Sequence, residues 1–211
     1  PNLSKHMDNE SIENETTSLA SRNVVVIVPA YNEERFIGSV ILKLKKLPVT
    51  VMVVDDGSED NTTEIAEAAG AVVHRLEKNQ GKGAALNLGF QKARGLKPDA
   101  IVIIDADSQH LPEELPHLVA PILKGDADIS IGSRYLKDVS NTPRSRRIGH
   151  KFINLATSLS SGIYVTDSQS GFRAFSPKAY DLIQFKSEGF SVESEMQFLA
   201  AEHNLRLVEV P

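Results

Sequence analysis

The chain contains no cysteine. Disulfides and thiolate metal sites are therefore excluded, and any metal must be held by carboxylate, amide or imidazole. That composition fits a reducing compartment, the cytoplasm. No apolar run approaches the ~18 residues that suggest a membrane-spanning helix; the run at 24–28 ends at Pro29. A basic excess is also missing, since the formal net charge is −5. Without a global positive field there is no call for nucleic acid, and any anion site must be local. The six histidines show no metal-ligand spacing, so His74, His117 and His203 read as surface or satisfied core residues. No internal repeat is found.

Residues 1–22 are polar, rich in Ser, Asn, Glu and Thr, and lack the apolar stretch of a signal peptide. They read as a disordered tail, in part a remnant of cloning. The rest, 23–211, is expected to be one domain, large enough to bury a real core. It ends on a strand-like segment at 205–210 that stops at Pro211, so a domain truncated at its C-terminus is expected.

What is present is an alternation. Short β-branched runs at 24–28, 49–54, 71–75, 100–104 and 127–131 predict strands. Helical spacing predicts helices at 33–45, 62–69 and 82–94, with an amphipathic helix at 151–159. Strands alternating with helices imply βαβ units and a mostly parallel sheet, an α/β fold in which ligands bind beyond the carboxyl ends of the strands. Three polar clusters fall at those ends: Tyr31-Asn32-Glu33, Asp55-Asp56-Gly57-Ser58 and Asp105-Ala106-Asp107.

Asp105-Ala106-Asp107-Ser108-Gln109-His110 is the sharpest of them. Two carboxylates just past a buried strand repel one another in a partly desolvated edge, and a divalent cation removes that cost. Oxygen ligands suit Mg²⁺ or Mn²⁺, which take their remaining ligands from water and substrate phosphates. The plainer alternative is a turn and helix cap before Leu111-Pro112. Asp55-Asp56-Gly57-Ser58 can receive a base or ribose, or can be an ordinary βα turn with Ser58 or Asp60 as cap. Asn79-Gln80-Gly81-Lys82-Gly83 opens a helix, where backbone N–H groups and Lys82 could face a phosphate. It matches neither the P-loop nor the dinucleotide fingerprint, and a simple helix start remains open. Gly132-Ser133-Arg134, Arg144-Ser145-Arg146-Arg147 and Ser170-Gly171-Phe172-Arg173 add a local positive set suited to phosphate, or a solvated basic loop.

Together with Val28-Pro29-Ala30-Tyr31-Asn32-Glu33, these motifs resemble family 2 glycosyltransferases of the GT-A fold, the nucleotide-diphospho-sugar transferase fold. More narrowly they resemble the dolichol- and polyprenyl-phosphate mannose, glucose or N-acetylhexosamine synthases. The resemblance covers residues 24–211. It implies a GT-A domain with Pro29, Tyr31, Glu33 and Asp55 lining a nucleoside pocket and Asp56 nearby. It implies that Asp105, Asp107 and Gln109 bind metal and the donor diphosphate, with Ala106 beside them. Arg134 would contact phosphate near the sugar, and Arg147 with Arg173 would bind the acceptor phosphate; Asp107, Arg134 and Arg173 would be the catalytic set.

The expected reaction is an inverting, in-line displacement that moves a hexose from GDP-mannose or a UDP-hexose to a polyprenyl or dolichyl phosphate. The cofactor would be Mg²⁺ or Mn²⁺, and the place of reaction the cytoplasmic face of a membrane. The helix at 151–159 could rest on that surface, or its stripe could be core. A lipid phosphate is already anionic and needs no general base. A saccharide hydroxyl acceptor would need one, with Asp167, Glu193 and Glu195 as candidates. A sugar nucleotidyltransferase and a non-catalytic nucleotide-sugar sensor are the rivals from other classes.

Overall fold

The computed structural model describes residues 19–133, 167, 169–186 and 191–211. Strand-forming residues come first in the chain, and their burial explains their composition. β1 (Val24–Ala30), β2 (Thr50–Asp55) and β4 (Ala100–Ile103) are apolar on both faces because both faces are covered. β3 (Val72–Arg75), β5 (Ile129–Gly132), β6 (Arg173–Phe175) and β7 (Leu207–Val210) complete one sheet in the order β3-β2-β1-β4-β6-β5-β7. β1 runs parallel to β2 and β4, β2 to β3, and β5 to β7; only β6 runs antiparallel to its neighbours, β4 and β5. The architecture is the mixed α/β, mostly parallel arrangement that the alternation of strands and helices predicts.

Alternate residues of β1 feed two cores. Val24, Val26 and Val28 pack with Ile37, Val40, Ile41 and Leu44 of α1 (Ile37–Leu44) and with Leu115, Leu118 and Val119 of α4 (Leu115–Leu123). Ala66 of α2 (Thr62–Ala68) joins that side. Val25 and Ile27 instead pack with Leu86 and Phe90 of α3 (Lys82–Arg94). Ala179 of α5 (Pro177–Leu182) and Met196 of α6 (Val192–Glu202) close the second core. Each fully buried Val, Ile, Leu or Phe contributes roughly 1.5–3 kcal/mol, so the sheet is a rigid base for whatever its edge carries. Leu19, inside the polar segment 1–22, is buried in the first core.

Two local differences from expectation have physical causes. The helix expected over 33–45 begins at Ile37, because the Glu33 carbonyl accepts the N–H groups of Phe36 and Ile37 in a turn first. Asn32, with φ 54°, enters that turn from the left-handed region. β6 is unanticipated; at three residues it is too short to show any periodicity. Its insertion between β4 and β5 matters, since an antiparallel strand starts at the edge where its parallel neighbours end. The basic loop at 144–147 and the helix expected at 151–159 lie outside the described residues. Among the described residues no helix is long and apolar enough to cross a membrane.

Candidate active site

The loops after β1 and β2 are stitched together. The Asn32 N–H donates to Ser58 Oγ at 2.9 Å, and the Glu59 N–H donates back to Asn32 Oδ1 at 2.8 Å. The Glu33 N–H reaches Thr62 Oγ1 at 2.8 Å. Tyr31 and Glu33 are thereby fixed at the carboxyl edge of the sheet, while Tyr31 stays 42% exposed.

The paired aspartates after β2 divide their labour. Asp55 is fully buried; it accepts the Ser58 N–H at 2.8 Å and the Thr63 hydroxyl, and lies 3.7 Å from Arg75. Its oxygens hold the βα turn and do not line the cavity described below. Asp56 instead accepts two backbone N–H groups, from Gln80 and Gly81, both at 2.8 Å. It clamps the loop that opens α3. Gly57 makes that approach possible: its φ is +74°, and a Cβ there would lie 2.6 Å from the Lys78 carbonyl carbon.

A cavity of about 230 Å³ lies over this edge. Pro29, Tyr31, Glu33, Asp56, Lys82, Asp105, Ala106 and Asp107, all singled out from the sequence, line it with Ala30 and Ala85. Four acidic side chains and one lysine thus share one wall. Burial pushes the Glu33 carboxyl above its ordinary value, and the negative charges of Asp107, Asp60 and Asp105 push it further.

Lys82 answers part of that charge. Its ammonium lies 2.6 Å from Asp105 Oδ1 and 2.6 Å from Glu193 Oε1. Burial alone would lower the Lys82 pKa, but the two carboxylates outweigh it and hold the group above its usual range. Glu193, in the first turn of α6, is drawn the other way: burial raises it, and Lys82, then Arg173, bring it below its ordinary value.

Arg173 begins β6, paired with Ile103 at the end of β4. It is wholly buried, and its Nε donates to the Ser170 carbonyl at 2.9 Å. Burial lowers its pKa to about 10 against the opposing pull of Glu193, Asp167, Asp105 and Glu209. Arg173, expected at an acceptor phosphate, is thus a buried cation within the electrostatic reach of Asp105 and Glu193. The same turn brings Gly171 against Asp105, where a Cβ would lie 2.0 Å from Oδ2.

The donor set fits a divalent ion of the Mg²⁺ or Mn²⁺ kind. Asp105 and Asp107 offer oxygen ligands on one cavity wall, in an acidic field that already holds an ammonium at Asp105. No group of three or more acidic or histidine side chains among the described residues could cage an ion alone. Asp107 Oδ1 accepts the Gln109 N–H at 3.0 Å, closing a turn in which Ser108 has φ 62°. The Gln109 side chain lines a neighbouring cavity of about 300 Å³ with His110 and Phe172. Arg134 and Arg147 lie outside the described residues.

Glu193 is the residue whose place the sequence least discloses, standing 111 positions from Lys82. Of the three carboxylates named as possible bases, Glu193 is engaged by Lys82, Glu195 accepts the Lys186 N–H at 2.6 Å, and Asp167 is fully buried.

Residues 25–183 match the profile of the family described as Glycosyl transferase family 2. A UDP-N-acetylglucosamine–dolichyl-phosphate N-acetylglucosaminyltransferase of Methanococcus voltae is 33% identical, over 92% of this chain and 86% of that one. An undecaprenyl-phosphate mannosyltransferase of Micrococcus luteus is 34% identical, over 89% and 82% of the two chains. Among solved structures, glucosyl-3-phosphoglycerate synthase from Mycobacterium tuberculosis, in complex with Mn²⁺, UDP and phosphoglyceric acid, superposes with a TM-score of 0.73. That match has 26% identity and covers 94% of this chain and 72% of that one.

Proposed function

The chain belongs to glycosyl transferase family 2, with the GT-A fold, and from that premise we propose that it moves a sugar from a nucleoside-diphosphate sugar to a polyprenyl or dolichyl phosphate, aided by Mg²⁺ or Mn²⁺. The observation that carries this is the convergence of Asp105, Asp107, Asp56, Lys82, Glu33 and Tyr31 on one cavity at the sheet edge. The relatives from Methanococcus voltae and Micrococcus luteus are named for transfer to dolichyl and undecaprenyl phosphate, and the mycobacterial structure holds Mn²⁺ with UDP.

In this reading Tyr31 offers an exposed ring face, and Pro29 a rigid apolar surface, to the nucleoside. Asp56 keeps the N-terminus of α3 in position, so that its backbone N–H groups and Lys82 face the diphosphate. Asp105 and Asp107 hold the divalent ion, which when bound offsets the negative charge developing on the departing nucleoside diphosphate. Arg173 stays buried below and steadies the acidic wall. The sugar is displaced in line, with inversion, by a nucleophile that is already an anion. That requirement suits a site whose candidate bases are committed elsewhere, as Glu193 is to Lys82 and Glu195 to the Lys186 N–H. A lipid phosphate sits in a bilayer, so transfer takes place at a membrane surface, the cytoplasmic one where nucleotide sugars are available.

The test is a panel of nucleotide sugars incubated with Mn²⁺ and polyprenyl phosphate, following label into the organic phase. Label in that phase, lost on adding excess chelator, supports the proposal. Transfer only to water-soluble saccharides would move the acceptor to a hydroxyl, and undiminished transfer in chelator would remove the metal.

A further inference from the structure

Asp105 has two oxygens, and both are already approached from the protein side. Oδ2 fills the space beside Gly171, and Oδ1 carries the Lys82 ammonium at 2.6 Å. A divalent ion bound through Oδ1 would stand beside that ammonium, and repulsion between the two cations favours its displacement. Lys82 has somewhere to go. Glu193 Oε1 holds the same nitrogen at 2.6 Å; Lys82 lines both the 230 Å³ cavity and a second cavity of about 610 Å³, which Glu193 also lines. Lys82 is also the first residue of α3, directly after the Gly81 that Asp56 clamps, so its backbone stays fixed while its flexible stem swings.

We propose that Lys82 is a resident stand-in cation for Asp105, and that Glu193 receives it when the divalent ion arrives. The ammonium keeps the acidic wall compensated while no metal is present. On exchange it is retained by Glu193 at the cavity wall, with hydrogens free for the diphosphate that enters with the ion. Metal and diphosphate binding are thereby coupled through one side chain, and Glu193 is a positioning residue that acts through Lys82. The proposal rests on Asp105 being a metal ligand, as set out above.

The experiment titrates the purified chain with Mn²⁺ alone, reading free Mn²⁺ by electron paramagnetic resonance, with circular dichroism as a check of folding. Lys82→Met removes the competitor and binds Mn²⁺ more tightly than the wild-type chain. Glu193→Gln removes the receiver and binds it more weakly. Each shift is expected to be at least about fivefold, the lower end of ordinary coupling between sites. Simple loss of nearby charge would also move the two variants apart, so the double variant decides. If Glu193 acts through Lys82, the Glu193→Gln penalty disappears in the Lys82→Met background; if it persists there in full, the exchange is overturned. Lys82→Arg, which keeps the cation, stays near the wild-type affinity; tightening like that of Lys82→Met would also overturn it. Failure of the metal reading itself looks different: the wild-type chain and Asp105→Asn would then be equally unable to take up Mn²⁺ even with a nucleoside diphosphate present.

Discussion

The Asp105 carboxylate occupies the space that a side chain on residue 171 would need. A Cβ built on Gly171 would stand 2.0 Å from Asp105 Oδ2 and 2.5 Å from its Cγ. These residues come from motifs 66 positions apart in sequence, and β6 joins them by running antiparallel beside β4, with Arg173 opposite Ile103. The glycine of Ser170-Gly171-Phe172-Arg173 is therefore part of the acidic site.

Gly171→Ala should drive the Asp105 carboxylate off its position while leaving both cores intact. Displacements of about 1 Å in a catalytic constellation cost on the order of 10²-fold in rate, and a fall of that size is expected in sugar transfer. Steady-state transfer and a thermal melt on the same preparation check this. A variant with normal transfer would show that Asp105 need not stand where it does.

Asp56→Ala removes the acceptor of two N–H groups at 2.8 Å and releases the loop opening α3. Leaving such groups unsatisfied costs about 1–3 kcal/mol, read as a lower urea midpoint. The donor's KM should rise more than kcat falls, because the loop is assigned to binding. An unchanged KM with the same loss of stability would confine Asp56 to a structural part.

Much of this was legible in the sequence. β-branched runs located β1, β2 and β4, and the polar triplets after them marked the functional edge, because parallel strands bring their carboxyl ends together. Less visible was which of two adjacent aspartates turns toward the cavity. Neighbouring residues leave a strand end in different directions, and only the contacts of Ser58 and Thr63 with Asp55, and of Gln80 and Gly81 with Asp56, distinguish them. Glu193 was invisible as a partner of Lys82, since an ion pair between two helix starts leaves no local pattern. The three-residue β6 was hidden for the same kind of reason: its place is set by pairing with β4 and β5.

Glu33 carries the pH dependence of the acidic wall. Its pKa is raised in the folded chain, first by burial and then by Asp107, Asp60 and Asp105. The fold thus favours its protonated form, and the stability it lends falls as pH rises from the ordinary value of 4.5 through the raised one. At neutral pH the charged group is a net cost to the metal-free protein. Glu33→Gln should therefore melt at a higher temperature than the wild-type chain at pH 7, with the gap closing in acid and on adding Mn²⁺. A lower melting temperature at pH 7 would contradict this.

Asp128 behaves in the opposite sense, far from the cavity. Its side chain accepts the Arg206 backbone N–H at 2.8 Å and two guanidinium N–H groups at 3.2 Å. The Arg206 hydrogen bond is the largest cause of its lowered pKa, outweighing burial. Its contribution is complete above the ordinary value of 3.8 and is lost as pH falls through the lowered one. Asp128→Asn should cost about 1–3 kcal/mol at neutral pH, with the difference narrowing below pH 3.8 in urea midpoints measured across the acid range.

The central claim is that neighbouring aspartates at the sheet edge hold a divalent ion against a nucleoside diphosphate. Crystals grown with Mn²⁺ and the diphosphate, measured at a wavelength where manganese scatters anomalously, test it most directly. The predicted peak lies within about 2.0–2.5 Å of carboxylate oxygens of Asp105 or Asp107, bridged to the diphosphate, with Lys82 turned to Glu193. A manganese peak and a diphosphate elsewhere, with Lys82 still on Asp105 and Asp107 facing solvent, would contradict it.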